Sequence, residues 1–559
     1  MATPGGVAIQ FDVGVPMRDG VSLAADVYRP RDAGPLPALL CRTIYDKQQA
    51  RYVEWALRFA EHGYAVVLQD CRGRYASGGE WAPYVCETAD GYDTHQWLGA
   101  QPWCDGTVGT FGISYVGFTQ ILPAPLRSPH LKALVPIANQ EDNFGHIYCD
   151  GVLHLANAVH FARIGDRVMR ATSYPALDLD GLFRRLPVSD ALAGVASCPP
   201  FQLFLSHPTF DGYWRSYTMK GRYAEIDAPA YFITGWYDNL VHEMFKVFTG
   251  WKREARPEAR RLTKMLVGPW THQAIGSAAP FGDVDFGARS AVDIPGEHLR
   301  WYDQRLKQID TDIDRQKALR IFVMGRNAWR EEDEWPLART RFERYYLGSG
   351  GRANSLYGDG TLGEVMPSGG LPDKFVYDPD DPVPTLGGQT MFLDQSGPKD
   401  RRPVERRDDV LVYTGPVLER DLEVTGPVTL ALHAASSAVD TDFTATLVDV
   451  HPNGKATHVC EGIVRASFRE SVERPAPIEP GRAYDYKMPL WETSYVFLPG
   501  HRVRLEVSSS NFPRFDRNLN TGEPVGRGRD WVRATQTVFH DADRPSHLLL
   551  PVIPGEAGR

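Results

Sequence analysis

No stretch of the 559 residues approaches the ~18 consecutive apolar positions that a membrane-spanning helix needs, and Met1 to Arg18 has neither a basic start nor an apolar core suited to export. No membrane partner is expected, and the expected location is the cytoplasm. Cysteine is sparse. Cys41, Cys71, Cys86, Cys104, Cys149, Cys198 and Cys460 are dispersed, odd in number and without a Cys-x-x-Cys pair, which argues against a disulfide framework or a zinc cage and for reduced, structural thiols. The sixteen histidines contain no His-Glu-x-x-His run, so no metal is expected. Basic blocks are also missing. The 61 Lys and Arg against 70 Asp and Glu leave a net charge of −9 spread along the chain, whereas a nucleic-acid binder needs a concentrated basic face that releases phosphate counterions. Nucleic acid is a poor partner. The glycine-rich stretches at Gly348 to Gly351 and Ser368 to Gly370 lack the Lys-Ser/Thr of a phosphate loop and read as turns, and no cofactor is expected.

What is present is ordinary for a globular protein: 43% hydrophobic and 23% charged residues, with 52 Gly and 42 Pro. The length suggests two or three domains. Short apolar runs at Val21 to Tyr28, Pro37 to Thr43, Tyr64 to Asp70, Thr107 to Ile113 and Leu131 to Ile137 alternate with helical patterns at Arg51 to His62 and Thr88 to Ala100. That alternation is the signature of a parallel sheet covered by helices. From about Gln140 to Ile226 the rhythm breaks into helices and loops, with Val152, Ala156, Val159 and Ala162 placed on one helical face. Strands resume at Pro229 to Gly235 and Lys264 to Gly268, around a helical Glu243 to Trp251. After about Phe342 come short strands joined by Gly/Pro/Asp turns, including Val410 to Thr414, Leu422 to His433, Phe443 to Val450, Gly462 to Phe468 and Arg502 to Ser509. The expected fold class is α/β: an α/β-hydrolase core in two parts (1–140 and 227–341), a helical lid insertion (141–226) and a C-terminal β jelly-roll domain (342–559).

The run Gly112-Ile113-Ser114-Tyr115-Val116-Gly117 places a serine between a strand and a helix-capable segment, where a nucleophile elbow belongs. The general pattern is Gly-x-Ser-x-Gly; here Val116 fills the second glycine's place and Gly117 follows it. An ordinary strand-to-helix turn would read the same by itself. Two partners follow in the order Ser, Asp, His: Asp238 after one strand and His272 after the next. Neutral serine is a poor nucleophile, so His272 is expected to take its proton while Asp238 fixes the imidazole tautomer. The Tyr115 amide is the first expected oxyanion donor. The loop Arg42-Thr43-Ile44-Tyr45-Asp46-Lys47 has no glycine-rich donor segment, and the Tyr45 phenol either supplies the second hydrogen bond or is a packing aromatic. Trp236 and Trp270, beside strand ends, belong either to a pocket or to the core.

Gly-x-Ser-Tyr-x-Gly, Arg-Thr-x-Tyr-Asp-Lys, Asp70-Cys71-Arg72-Gly73-Arg74-Tyr75-Ala76-Ser77-Gly78-Gly79-Glu80, Gly-Trp-Tyr-Asp and Gly-Pro-Trp-x-His together resemble the cocaine esterase-like branch of the X-Pro dipeptidyl-peptidase superfamily of serine hydrolases. Val439 to Phe443, Leu498 to Arg502 and Ser508 to Arg514 extend the resemblance through the C-terminal part. It implies the triad Ser114, Asp238 and His272, oxyanion donors at Tyr45 and Tyr115, and acyl selection by the lid (His160, Phe161), by Leu240 and by Met391 and Phe392. It also implies a homodimer. The branch carries an aromatic residue where Leu240 stands and tryptophans on its lid, so a benzoyl-sized acyl group is disfavoured here. The related α-amino acid ester hydrolases carry an acidic pair where Asn239-Leu240-Val241 stands, which disfavours a cationic acyl group. The long X-Pro dipeptidyl peptidases have further domains, making exopeptidase action an unfavoured reading. The leading function is a cofactor-free serine carboxylesterase acting on a small-molecule ester through an acyl-enzyme. Its rivals are an amide or β-lactam side-chain acylase of the cephalosporin acylase type using the same triad, and a non-catalytic binding module on a hydrolase scaffold.

Overall fold

The computed structural model describes residues 6–165, 178–193, 199–391 and 396–555. In chain order the first strands are β1 (Val7–Pro16), β2 (Ser22–Pro30), β3 (Leu36–Thr43), β4 (Ala65–Asp70), β5 (Cys104–Ile113), β6 (Leu131–Ile137), the short pair β7 (Tyr148–Cys149) and β8 (Val152–Leu153), then β9 (Tyr231–Tyr237), β10 (Lys264–Thr271), β11 (Leu319–Val323) and β12 (Ala328–Glu332). All except β7 and β8 form one sheet in the order β1-β2-β4-β3-β5-β6-β9-β10-β11-β12. From β4 to β11 neighbours run parallel, and β1, β2 and β12 close the ends antiparallel.

The parallel strands are mostly apolar in their middles because helices cover both faces of the sheet. Ala65-Val66-Val67-Leu68 is buried on either side, for example. The covering helices show the matching stripe. Helix Ala50–Glu61 buries Tyr52, Ala56, Phe59 and Ala60, spaced by about one or two turns. Helices Glu87–Gly99, Tyr115–Ile121, Val241–Glu254 and Ile294–Leu306 make the other crossovers. The fold is an α/β-hydrolase core, followed by a β-rich C-terminal part whose eleven strands form a second sheet.

Two sequence expectations shift in the structure, and one long strand appears that the sequence did not signal. Val152 does not share a helical face with Ala156 and Val159: it lies in β8, and the helix starts only at Leu155, after the β7–β8 hairpin has reversed the chain. The strand expected at Gly462 to Phe468 is Ala456–Arg465, and Ala466–Phe468 is a 3-10 turn. The long strand Tyr484–Phe497 pairs with Leu422–Ser436 although it contains Pro489, because a register shift absorbs the proline's missing donor.

No helix among the described residues is long and apolar enough to cross a membrane. The described cysteines Cys41, Cys71, Cys86, Cys104, Cys149 and Cys460 are free thiols, and Cys198 lies outside the described residues.

Candidate active site

β5 ends at Ile113 and a helix begins at Tyr115, so Ser114 alone turns the chain. It does so at φ 66°, ψ −126°, a conformation that costs a non-glycine residue ~1–3 kcal/mol and persists only where the surroundings enforce it. Here they do. The Ser114 amide donates to Ile137 O at 2.8 Å, and Ser114 O accepts from the amides of Gly117 and Phe118. At Gly112, with φ 141°, a Cβ would lie 2.1 Å from Val116 Cγ1; at Gly117 it would lie 2.9 Å from both Asn139 Cβ and Ile137 O. The close approach between helix and sheet therefore falls at 117, which is why Val116 is tolerated where the general elbow has its second glycine.

Two strands further on, β9 and β10 end side by side, with Tyr237 opposite Thr271. The next residue of each chain segment is Asp238 and His272. His272 Nδ1 lies 3.0 and 3.2 Å from the two Asp238 carboxylate oxygens. The carboxylate fixes the proton on Nδ1 and leaves Nε2 as the acceptor. Asp238 is fully buried and also accepts from the Leu240 amide at 2.8 Å, which locks its orientation. All three side chains thus emerge at the carboxyl ends of parallel strands, where sites of open α/β sheets assemble. Among the described residues no hydrogen bond joins Ser114 to His272. The Ser114 hydroxyl instead accepts a long, 3.4 Å hydrogen bond from the Tyr45 phenol.

Tyr45 sits on a loop that two sequence motifs build together. Its amide donates to Thr43 Oγ1, the Lys47 amide donates to Asp70 Oδ1, and Arg74 Nε donates to Ile44 O. Arg-Thr-x-Tyr-Asp-Lys and Asp-Cys-Arg-Gly-Arg are therefore two halves of one clamp. The Tyr45 hydroxyl also lies within hydrogen-bonding reach of the Tyr115 backbone amide, and burial raises the phenol's pKa, so it stays a donor. The Tyr115 side chain points the other way, its hydroxyl donating to Glu87 at 2.8 Å, with Arg42 in turn 2.9 Å from that carboxylate. This chain of buried contacts holds the Tyr115 backbone in place.

Ser114, Tyr45 and Tyr115 face a cavity of about 20 Å³, room for little more than one water-sized group. His160, Phe161 and Met391 line it as well. Leu240 does not: its side chain is buried at the start of helix Val241–Glu254. Phe392 lies outside the described residues. The cavity has four walls that the sequence did not signal as site residues: Tyr84, Gln140, His146 and Asn157. Gln140 follows β6, at the sheet edge that already carries the serine, a position that would have pointed to it; His146 and Asn157 belong to no motif. Trp236 and Trp270 are core residues. The Trp236 ring stacks on Phe245 and its indole donates to Phe322 O, and the Trp270 indole donates to Ser290 O. Asp449, His451 and His501 bring metal-capable atoms together in the C-terminal sheet, where Asp449 already bonds His501 and Tyr495 and His451 bonds Thr457.

The chain matches two family models: the X-Pro dipeptidyl-peptidase (S15 family) over residues 19–274, and the X-Pro dipeptidyl-peptidase C-terminal non-catalytic domain over residues 311–549. It is 38% identical to the cocaine esterase of Rhodococcus sp. (strain MB1 Bresler), covering 98% of this chain and 99% of that one. Among solved structures, an aminopeptidase from a marine sediment Thaumarchaeota archaeon superposes with a TM-score of 0.86 at 25% identity, over 98% of this chain and 97% of the other. An α-amino acid ester hydrolase gives the same TM-score and identity over 99% and 98% of the two chains.

Proposed function

The chain belongs to the X-Pro dipeptidyl-peptidase (S15) family, and from that premise we propose a serine carboxylesterase that cleaves small to medium esters through an acyl-enzyme. The similarity to an esterase along nearly the whole chain favours ester over amide or β-lactam side-chain cleavage, and catalysis over a purely binding role. The observation that carries the residue assignment is the strained Ser114 elbow, with the Tyr45 phenol and the Tyr115 amide converging beside its hydroxyl.

In this reading His272 Nε2 accepts the Ser114 proton as Oγ attacks the ester carbonyl, and Asp238 stabilises the imidazolium. The carbonyl oxygen becomes an oxyanion held by the Tyr45 hydroxyl and the Tyr115 amide. His272 then gives its proton to the departing alcohol, leaving an ester on Ser114. Water, deprotonated by the same histidine, attacks that ester, and the acid leaves as His272 returns the proton to Ser114 Oγ. The Tyr45–Ser114 contact is long at 3.4 Å, and hydrogen bonds of this kind tighten in the substrate complex.

The test is Ser114→Ala assayed on para-nitrophenyl esters, with fluorophosphonate labelling of the parent. A loss of about 10⁴–10⁶ in kcat, with labelling confined to Ser114, is the expected result. Retention of more than about a tenth of the activity would sink the assignment. Paired anilides should be cleaved far more slowly than esters.

A further inference from the structure

Apart from Phe161 and Met391 the cavity over Ser114 is walled largely by polar and phenolic side chains, Gln140, His146, Asn157 and His160 among them. No carboxylate, lysine or arginine lines it among the described residues. Gln140 is already engaged, its amide donating to Asn143 Oδ1 at 2.7 Å. His146 is not. It projects from the short helix Asn143–Ile147, 8% exposed, with the Phe161 ring edge-on to its own at 6.4 Å. Neither ring nitrogen has a hydrogen-bond partner among the described residues. Buried polar groups in proteins are nearly always paired, so an imidazole with both nitrogens unmatched, lining the cavity of the reactive serine, calls for a partner from outside the chain.

The chemistry of that partner follows from the state of the ring. Burial, reinforced by the nearby His272, lowers the His146 pKa to about 4, so the imidazole is neutral at ordinary pH. A neutral imidazole offers one N–H donor and one bare nitrogen acceptor. A hydroxyl or carboxamide can answer both. An alkyl or simple aryl group answers neither, and for an ionised group the lining offers no carboxylate, lysine or arginine among the described residues to pair with it.

Building on the esterase reading, we propose that His146 is a specificity-determining residue that selects esters bearing a neutral hydrogen-bonding group, a hydroxyl or carboxamide, on the half that seats beside Ser114. Hydrophobic pockets discriminate weakly between isosteres, but a site left with an unpaired polar group rejects the analogue that lacks the matching one.

The experiment measures kcat/KM on two matched panels. One compares para-nitrophenyl butanoate with hydroxybutanoates carrying the hydroxyl at each carbon in turn. The other compares ethyl butanoate with hydroxyethyl butanoate, followed by acid release. The wild-type enzyme is expected to favour the hydroxylated ester about tenfold or more in one panel, which also identifies the half that His146 reads. His146→Leu should bring that ratio to within about twofold, and His146→Asn, which keeps a donor and an acceptor, should retain it in part. No preference in either wild-type panel overturns the proposal, as does a preference that survives His146→Leu unchanged. The wild-type panels need no variant, so a misfolded His146→Leu does not stall the decision. Failure to cleave the plain esters at all, with no fluorophosphonate labelling, would instead overturn the esterase premise.

Discussion

Tyr45 concentrates the residue-scale logic of the site, because one phenol sits on a loop clamped by its own segment and by the Asp70–Arg74 segment and is aimed at the oxygen of a third, Ser114. Its hydroxyl, if it holds the oxyanion, acts more strongly in the transition state than on the bound ester. Tyr45→Phe should therefore lower kcat by ~10²–10³ with KM nearly constant, measured on one activated ester. A packing role would leave kcat within a few-fold. Buried histidines outside the site set a second expectation at this scale. His298 is enclosed by Trp55, Phe59, Phe111 and Tyr302, and burial lowers its pKa to about 4. The unfolded chain protonates this ring near ~6.5 while the folded chain keeps it neutral, so the unfolded state gains protons as pH falls from about 7 toward 4. Stability from His298 is present above that range and is lost on acidification. His298→Phe should flatten the fall in unfolding free energy between pH 7 and pH 5, measured by urea titration, by on the order of 1–2 kcal/mol, irrespective of its effect at pH 7.

At the scale of elements, the elbow depends on how closely helix Tyr115–Ile121 approaches β6. Gly117→Ala would press a methyl group onto Ile137 O and Asn139, and should cost ~1–3 kcal/mol by denaturant titration while displacing Ser114 enough to lower kcat. What could be read from the sequence at this scale follows from burial. β3, β4, β5 and β6 were legible because strands covered on both faces carry short, mostly apolar runs bounded by turn residues. β1 was not: it pairs along the edge with most of its side chains exposed, so no hydrophobic period marks it. Tyr484–Phe497 was hidden by Pro489, which argues against a strand until a long partner supplies the register. Ser114, Asp238 and His272 could be proposed from the sequence because the chemistry of a serine hydrolase demands fixed residue types after strand ends, and the structure places all three at such ends. His146 and Asn157 could not, because they reach the cavity from segments whose course depends on tertiary packing.

Across the whole molecule, the two sheets are stitched together rather than tethered. Past the end of β11, the Met324 amide donates to Ser494 O and Met324 O accepts from the Val496 amide, so the first sheet runs into a strand of the second. Arg330 adds a two-pronged contact with Glu423, and the Tyr237 hydroxyl, one residue before Asp238, donates to His458 O. Met391, from the C-terminal half, completes the cavity around a serine from the N-terminal half. Esterase activity and tryptophan fluorescence should consequently fall at one midpoint in a urea titration, with no range in which the N-terminal sheet is folded and fully active alone. The size of that cavity carries a kinetic consequence. Beside Ser114 that space holds little more than a water-sized group, so an acyl chain that is to seat there must part the walls, and a longer chain must part them further. In that case kcat should decline as sucrose raises the viscosity of the medium, and more steeply for butanoate than for acetate: the enzyme would sort substrates by how far they oblige it to breathe.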